Sequence, residues 1–240
     1  INGHGKSMVL SHLIADGIMQ GYRFCVASLE FKAPRFFWRL FRQIGGVSKP
    51  AEDYFLQMLK YTEDKLFLYN IRGTAKRDQL LEFFRYCFAR YGCQHFVVDS
   101  LAKCGIGEED YTAQKAFVDQ LCDFASKHDV HVHLVLHSRK GKDESQSPGK
   151  MDIKGSGGIT DMVDNLITVW KNKEKEEAIN FAEQTGGNAD SKILDQPDCK
   201  LKVEKQRNGD WEGSFALWYD RESYQYKSFE HDPVKYYVKV

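Results

Sequence analysis

The sequence predicts an α/β domain built on a mostly parallel central sheet flanked by helices, with a β-hairpin near its C-terminal end. Short apolar, β-branched runs typical of buried parallel strands alternate along the 240 residues with segments whose apolar residues recur at helical spacing. Towards the end of the chain, two alternating segments flank the turn residues Asn-Gly-Asp, which is the pattern of a hairpin. Because we find no internal repeat and no second apolar core, we predict one domain over residues 1–240.

The predicted elements follow one another in a regular order. Helices are predicted at 7–20, 33–46, 77–90 and 112–128. Strands are predicted at 22–30, 66–69, 95–100, 130–137 and 165–170, and the two hairpin strands at 199–207 and 213–220. Residues 138–158 are rich in Lys, Asp, Ser and Gly and predict a long surface loop, which in compact domains is usually functional. The polar segment 171–198 predicts a helix and loop outside the core.

Composition excludes several classes of protein. With 42% hydrophobic and 28% charged residues the chain is ordinarily globular, neither disordered nor collagenous. No apolar run approaches the roughly 18–20 residues that span a membrane, so we expect no membrane partner. The 34 basic and 34 acidic side chains argue against a generally basic nucleic-acid coat, although a balanced total can hide a local patch. The six cysteines form no C-x-x-C pair and predict reduced, mostly buried thiols; Cys87, Cys93 and His95 form only a weak candidate metal site.

The first seven residues, INGHGKS, resemble a phosphate-binding loop of the form G-x-x-x-x-G-K-[ST]. Its first glycine would precede Ile1, so we interpret the chain as beginning inside this loop. Glycines allow close backbone approach, and amides at a helix start face anionic oxygens. We expect Lys6 to reach the β- and γ-phosphates and the Ser7 hydroxyl to help hold Mg²⁺. The candidate nucleotide-binding residues are Asn2, Gly3, His4, Gly5, Lys6 and Ser7.

Taken alone, the Gly-Lys-Ser tripeptide is better interpreted as a turn that caps a helix, but a matching acidic residue further along the chain favours nucleotide binding. Asp99 ends the apolar run HFVVD, which reads as a central parallel strand. A carboxylate there can bind the Mg²⁺ shell beside a phosphate loop, although it could also merely cap the next element. The two signals together predict binding of ATP, or another NTP or dNTP, with Mg²⁺ held by Ser7 and Asp99.

Two further residues at predicted strand ends are candidates for catalysis. Glu30 ends the strand after the first helix, at the edge where α/β sheets bind ligands, and could deprotonate an attacking water. His137 ends a later strand and points to the same edge, where it could sense the γ-phosphate. The plain alternatives are an exposed strand-end acid for Glu30 and a satisfied core histidine for His137.

Alternation in the hairpin puts Lys205 and Arg207 on one face of a strand that ends at the Asn-Gly turn. Two cations at such a position could reach a nucleotide held by a neighbouring subunit and stabilise charge on the transferring phosphoryl group. The alternative is an edge strand guarded by Lys and Arg against aggregation.

These motifs carry a family resemblance that covers nearly the whole chain. In order and approximate spacing it resembles the ring-forming, DnaB-like (superfamily 4) replicative helicases, most closely the helicase part of phage primase–helicases and mitochondrial Twinkle, in INGHGKS, ASLE, HFVVDS, LVLHSRK, DIKGSGG and KQRNG. The resemblance implies a RecA-like P-loop NTPase fold and a hexameric ring that hydrolyses ATP between subunits and moves 5′→3′ on single-stranded DNA. It makes Glu30 the catalytic base, His137 the sensor, and Arg207, beside Lys205, the finger acting in trans.

The resemblance also makes the loop 138–158 the contact to single-stranded DNA. The loop carries five Lys or Arg and three acidic residues, a modest excess that a ring of subunits would multiply. Its candidate DNA-binding residues are Arg139, Lys140, Lys154, Gly155, Ser156 and Gly157. The implied partners are further copies of the chain, primase and replisome proteins. The implied compartment is the cytoplasm of a bacterial or phage-infected cell, or a mitochondrion or other organelle.

Two other functions remain open on the same fold. One is a recombinase or clock-type ATPase that binds DNA or protein without unwinding. The other is a non-catalytic assembly module that nucleotide switches between states.

Overall fold

Four strands form a parallel sheet in the computed structural model of this chain. The model describes residues 5–70, 77–107, 109–137, 157–188 and 190–238. The strands are β1 (Phe24–Ser28), β2 (Leu66–Leu68), β3 (His95–Asp99) and β4 (His131–Leu134). Their order across the sheet is β2, β1, β3, β4, with the two apolar strands β1 and β3 in the centre.

Helices cover both faces of this sheet. Among the described residues the helices are α1 (Lys6–Met19), α2 (Ala33–Gly45), α3 (Glu52–Thr62), α4 (Arg77–Tyr91), α5 (Tyr111–His128), α6 (Gly157–Met162), α7 (Lys173–Thr185) and α8 (Ser191–Leu194), and a 3-10 turn lies at Leu101–Lys103. The helical side chains buried against the sheet come from α1 to α5 and from Ile159 of α6. All five residues of β1 are buried because Phe24 and Val26 pack with α1, α2 and α3, whereas Cys25 and Ala27 pack with α4 and α5. In the described part of the chain, no helix combines the length and apolarity needed to cross a membrane.

A second sheet is antiparallel and carries the C-terminal hairpin. Its strands, in both chain and spatial order, are β5 (Asn165–Lys171), β6 (Cys199–Gln206), β7 (Gly213–Tyr219) and β8 (Tyr226–Lys227). A bulge between Leu166 and Ile167 shifts the pairing of β5 with β6, so Leu166 faces Lys205 and Ile167 faces Val203.

The residues after β7 fold back along α1, on the side of the sheet that carries the phosphate loop. The backbone amide of Tyr226 donates to His12 Nδ1 over 3.0 Å, and the Tyr237 hydroxyl donates to Asp16. The Tyr237 amide also donates to the Ile44 carbonyl at the end of α2. The C-terminal segment thereby ties the first two helices together.

The predicted fold class is confirmed, and the structure corrects several element boundaries. The sequence reading missed α3, whose buried side chains Tyr54, Met58 and Thr62 form a stripe too narrow to stand out. Strand β4 ends at Leu134 instead of 137, because its neighbour β3 ends at Asp99 and turns into the 3-10 helix. The predicted loop 138–158 is wrong at its end, where α6 begins at Gly157; its residues 138–156 lie outside the described residues.

The cysteines behave as the sequence predicts. All six are free thiols, and five are buried, with only Cys122 partly exposed. Burial raises the pKa of Cys104 and of Cys199 to about 12, so these thiols stay protonated. Among the described residues no three His, Cys, Asp or Glu side chains are grouped to hold a metal ion, so the weak Cys87–Cys93–His95 site is not formed; His95 Nδ1 lies 3.1 Å from His133 Nε2.

Candidate active site

The phosphate loop ends in a tight, left-handed turn that favours glycine. Gly5 is the N-cap of α1 and has a positive φ of 80°. A Cβ atom at this position would lie 2.9 Å from the Tyr226 hydroxyl. The Gly5 carbonyl accepts from the amides of Met8 and Val9, both over 2.9 Å, and so starts the helix. Asn2, Gly3 and His4 lie outside the described residues.

Lys6 and Ser7 follow on the first turn of α1, at the positive end of the helix dipole. Burial lowers the pKa of Lys6, whereas the nearby carboxylates of Glu30 and Asp99 raise it. These two acids therefore face the lysine that the sequence predicts to bind phosphate. The start of α1 therefore lies beside the end of β3 and the residues that follow β1.

Asp99 is the last residue of β3 and is only 4% exposed. Burial raises its pKa, and a hydrogen bond from the Ser7 hydroxyl opposes that rise. Its Oδ1 atom has no hydrogen-bond partner, although a buried carboxylate oxygen is normally bonded. A hydroxyl and an unpartnered carboxylate oxygen fit Mg²⁺, which typically takes few protein ligands and completes its shell with water and phosphate oxygens. Ser7 and Asp99 are the residues that would hold it.

Three polar side chains meet beside this pair. The Ser100 hydroxyl donates to Glu30 Oε1 over 2.7 Å and lies 3.2 Å from His137 Nε2. His137 Nε2 in turn lies 3.1 Å from the same Glu30 oxygen. The side chains of His137 and Glu30 are 24% and 25% exposed, so the group is open to a ligand at one side. The arrangement can orient a carboxylate and a histidine towards a common reactant.

Neither Glu30 nor His137 lies at a strand end as predicted. Strand β1 ends at Ser28, two residues before Glu30, and β4 ends at Leu134, three residues before His137. Both side chains nevertheless reach the carboxyl edge of the sheet, because the chain continues in the same direction after each strand. The Val135 amide donates to the Val98 carbonyl, and the Leu29 amide to the Asp99 carbonyl, which holds both extensions beside β3.

Lys205 and Arg207 lie together, as predicted, but their contacts are with α6 and the residues after it. Lys205 Nζ donates to the carbonyls of Thr160 and Asp161, over 3.0 and 2.9 Å. Arg207 pairs with Asp164 over 2.8 Å and also donates to the Asp161 carbonyl. The two cations thus cover the negative end of a helix within their own chain.

A family model described as AAA domain matches residues 2–143, which is more than half of the chain and includes the phosphate loop, Glu30, Asp99 and His137. The chain belongs to the AAA domain family. No curated protein matches it.

Solved structures share the fold of this AAA domain along almost its whole length. A DnaB-like replicative helicase, solved to study its interactions with primase, superimposes with a TM-score of 0.70 and 13% identity over 94% of this chain. A second solved structure, described as an ATPase domain, superimposes with a TM-score of 0.65 and 14% identity, over 95% of this chain and 82% of that one. The AAA domain spans 55% of the DnaB-like helicase chain. The predicted likeness to DnaB-like helicases is confirmed as a likeness of fold.

One site residue of the AAA domain was missed by the sequence reading. Ser100 follows Asp99 directly and is fully buried, with its hydroxyl between Glu30 and His137. The signal was present, since the residue after a strand-end acid lies at the same sheet edge. The predicted DNA-binding residues 139, 140 and 154–156 lie outside the described residues, and Gly157 is the first residue of α6.

Proposed function

We propose that this AAA domain is the ATPase motor of a DnaB-like replicative helicase, which hydrolyses ATP to move 5′→3′ on single-stranded DNA and unwind duplex. One observation carries the proposal. The Glu30–Ser100–His137 group stands beside Lys6, Ser7 and Asp99 at one edge of the sheet. A phosphate-binding lysine, a cation-binding pair and an oriented carboxylate are the parts that hydrolysis of a nucleoside triphosphate requires.

Lys6 and the amides at the start of α1 bind the β- and γ-phosphates, and the positive helix end favours their charge. Ser7 and Asp99 would hold Mg²⁺, which when bound would neutralise charge on the phosphate oxygens. Glu30 accepts the proton of the attacking water. Because Ser100 and His137 both bond the same Glu30 oxygen, they fix the carboxylate in one orientation before the nucleotide arrives.

His137 serves as the γ-phosphate sensor in this proposal. Its Nε2 atom contacts both Ser100 and Glu30, and its Nδ1 atom is buried without a partner. A change at the γ-phosphate that moves the ring would also move the carboxylate. The histidine follows β4 and immediately precedes the segment predicted to bind DNA, so the same residue can relay the nucleotide state to that segment.

Arg207 acts in trans on the nucleotide of a neighbouring subunit, with Lys205 beside it. In the isolated chain Arg207 pairs with Asp164, and both side chains are about half exposed, at 50% and 57%. An exposed pair of this kind contributes only about 0–1 kcal/mol, so exchanging Asp164 for a phosphate oxygen costs little. We therefore interpret the contact with Asp164 and α6 as the position that Arg207 occupies when it does not contact a neighbour's nucleotide.

The remaining partners follow from the same proposal. Single-stranded DNA binds the loop through Arg139, Lys140, Lys154 and the backbone of 155–157, in the channel of a homo-hexameric ring. Primase and replisome proteins are its further partners. The site of action is the cytoplasm of a bacterial or phage-infected cell, or an organelle.

Two substitutions in the full-length protein test the hydrolytic part of this proposal. Lys6→Ala should abolish nucleotide binding, because it removes the phosphate-binding cation. Glu30→Gln should preserve binding of a fluorescent ATP analogue but lower the hydrolysis rate about 10²–10⁴-fold, the range typical of a lost general base. Full turnover by Glu30→Gln would remove Glu30 as the base. Binding without any turnover in the wild-type protein would instead favour the nucleotide-gated assembly module.

A further inference from the structure

A small polar pocket lies behind the phosphate loop, between α1, α2 and the strands β1 and β3. Half of its ten lining residues are polar or charged, namely Ser7, Ser11, Ser28, Arg39 and Asp99. Three of these carry a buried atom without a hydrogen-bond partner: Ser28 Oγ, Arg39 Nε and Asp99 Oδ1. Among the described residues only three other side-chain atoms share this condition, and their residues do not line this pocket. Half of these atoms therefore converge on one cavity.

The three atoms are chemically complementary. Arg39 Nε is a donor, Asp99 Oδ1 is an acceptor, and the Ser28 hydroxyl is both. Leaving such groups buried and unpaired is costly, so a shared hydrogen-bond partner for them is strongly favoured. A buried water needs two to four polar neighbours, and the three residues with these atoms line the same pocket. A single bridging water fits this set of groups.

Arg39 also contacts an aromatic ring that does not line the pocket. Its guanidinium lies 4.8 Å from the centre of the Phe31 ring, just after Glu30. Arg35, one turn earlier on α2, lies 5.0 Å from the same ring but is exposed and does not line the pocket. Burial lowers the pKa of Arg39, and Asp99 is the carboxylate that opposes this. Both arginines therefore contact the Phe31 ring, but only Arg39 lines the pocket that contains Asp99.

We propose that Arg39 is a positioning residue for the Mg²⁺ site, which orients Asp99 Oδ1 through water in this pocket and presets the Ser7–Asp99 pair for the cation. The inference rests on the proposed function, since it assumes that this pair binds Mg²⁺ with a nucleotide. Outer groups that orient a metal-binding carboxylate typically change metal affinity 10–100-fold when removed.

The test measures how much Mg²⁺ tightens nucleotide binding. A fluorescent ADP analogue is titrated into the full-length protein with saturating Mg²⁺ and with EDTA, and the ratio of the two dissociation constants is compared between variants. Arg39→Met should lower this ratio about tenfold while leaving the affinity in EDTA within about twofold. Arg39→Lys should restore part of the ratio, because its ammonium can donate to the same water. Arg35→Met, which alters the same ring contact, should leave the ratio unchanged.

Ser28→Ala provides a second route to the same pocket with little risk to folding, and should lower the ratio about two- to threefold. A wild-type ratio in both Arg39→Met and Ser28→Ala would overturn the inference. So would an equal loss of affinity in Mg²⁺ and in EDTA, since that indicates damage to the phosphate loop. No nucleotide binding by the wild-type protein would overturn the proposed function itself, and this inference with it.

Discussion

Ser100 joins the two residues on which catalysis depends in the proposed mechanism. Its hydroxyl bonds Glu30 over 2.7 Å and contacts His137 over 3.2 Å, and the residue is fully buried. Because a buried hydroxyl in this position can hardly exchange its partners for water, it restricts the carboxylate to one rotamer. Ser100 therefore acts through Glu30 and is a positioning residue.

Substitution of Ser100 should separate positioning from binding. We expect Ser100→Ala to lower kcat for ATP hydrolysis about tenfold with little change in KM, because the carboxylate loses its orientation but the phosphate-binding groups are intact. Steady-state kinetics of the full-length protein measure this. Ser214→Ala, at an exposed serine on β7, should change neither constant. An unchanged kcat in Ser100→Ala would contradict the positioning role.

Three histidines at the other end of the sheet make stability depend on pH. His95 starts β3, and His131 and His133 lie on β4, with the His95 and His133 rings stacked. Burial, together with the neighbouring His131 and His95, lowers the pKa of His133 to about 3. Burial also lowers the pKa of His95 and of His131. The folded protein therefore resists protonation that the unfolded chain accepts below about pH 6.5.

The histidine cluster contributes no penalty above about pH 6.5, and stability falls as the pH drops from there towards 3. For His133 alone the free energy of unfolding should fall by up to about 1.4 kcal/mol per pH unit. Urea unfolding at pH 7.5, 6 and 5 measures the slope. His133→Phe should make it shallower, whereas His231→Gln, at an exposed histidine, should not. Equal slopes in wild type and His133→Phe would refute this account.

At the level of elements, α1 packs so closely on β1 that a helix glycine becomes essential. A Cβ atom at Gly17 would lie 2.4 Å from Cζ of Phe24, whose side chain is 3% exposed. Gly17→Ala should destabilise the protein by about 1–3 kcal/mol through this clash, although alanine favours helix by up to about 1 kcal/mol. Gly158→Ala in α6 meets only the flexible Lys115 side chain at 3.3 Å and should be neutral or stabilising. Thermal unfolding of the two variants distinguishes these outcomes, and equal stability would refute the packing argument.

The hairpin of β6 and β7 contains Arg207, the residue proposed to act on the nucleotide of a neighbouring subunit. If each site borrows Arg207 from a neighbour, mixing Arg207→Ala subunits with wild type should lower ATP hydrolysis more steeply than the fraction of mutant. A loss strictly proportional to that fraction would contradict a role in trans. Asp164→Ala, which removes only the exposed resting partner, should cost at most about 1 kcal/mol of stability and leave turnover intact.

The sequence predicts the fold class and the position of the site better than it predicts the contacts between side chains. The alternation of apolar strands with helices predicts the fold class correctly. Strands β1 and β3 can be recognised because they are buried on both faces and therefore have unbroken apolar runs. The sequence predicts Asp99, Glu30 and His137 at one sheet edge, because the carboxyl ends of parallel strands meet there. Ser100 and Arg39 could not be predicted in this way, because their roles depend on which side chains meet across chain separations of 70 and 60 residues. The contacts of Lys205 and Arg207 with α6 were equally out of reach, since no local pattern encodes them.

For the molecule as a whole, neutral charge and helicase activity are compatible. The chain carries 34 basic and 34 acidic residues, so a motor built from it would contact DNA through a limited surface. In the proposed ring that surface is one loop per subunit, and hydrolysis at each subunit interface moves the loops in turn. In this proposal the activity belongs to the assembly, and each AAA domain supplies one nucleotide site.

The most direct measurement of the central claim is displacement of a labelled strand from a forked duplex by the full-length protein, with ATP hydrolysis followed in the same reaction. We predict that single-stranded DNA stimulates ATP hydrolysis by the wild-type protein and that the wild-type protein displaces the strand. Glu30→Gln should bind ATP but show neither stimulated hydrolysis nor strand displacement. Hydrolysis without displacement would contradict the helicase and favour a recombinase or clock-type ATPase.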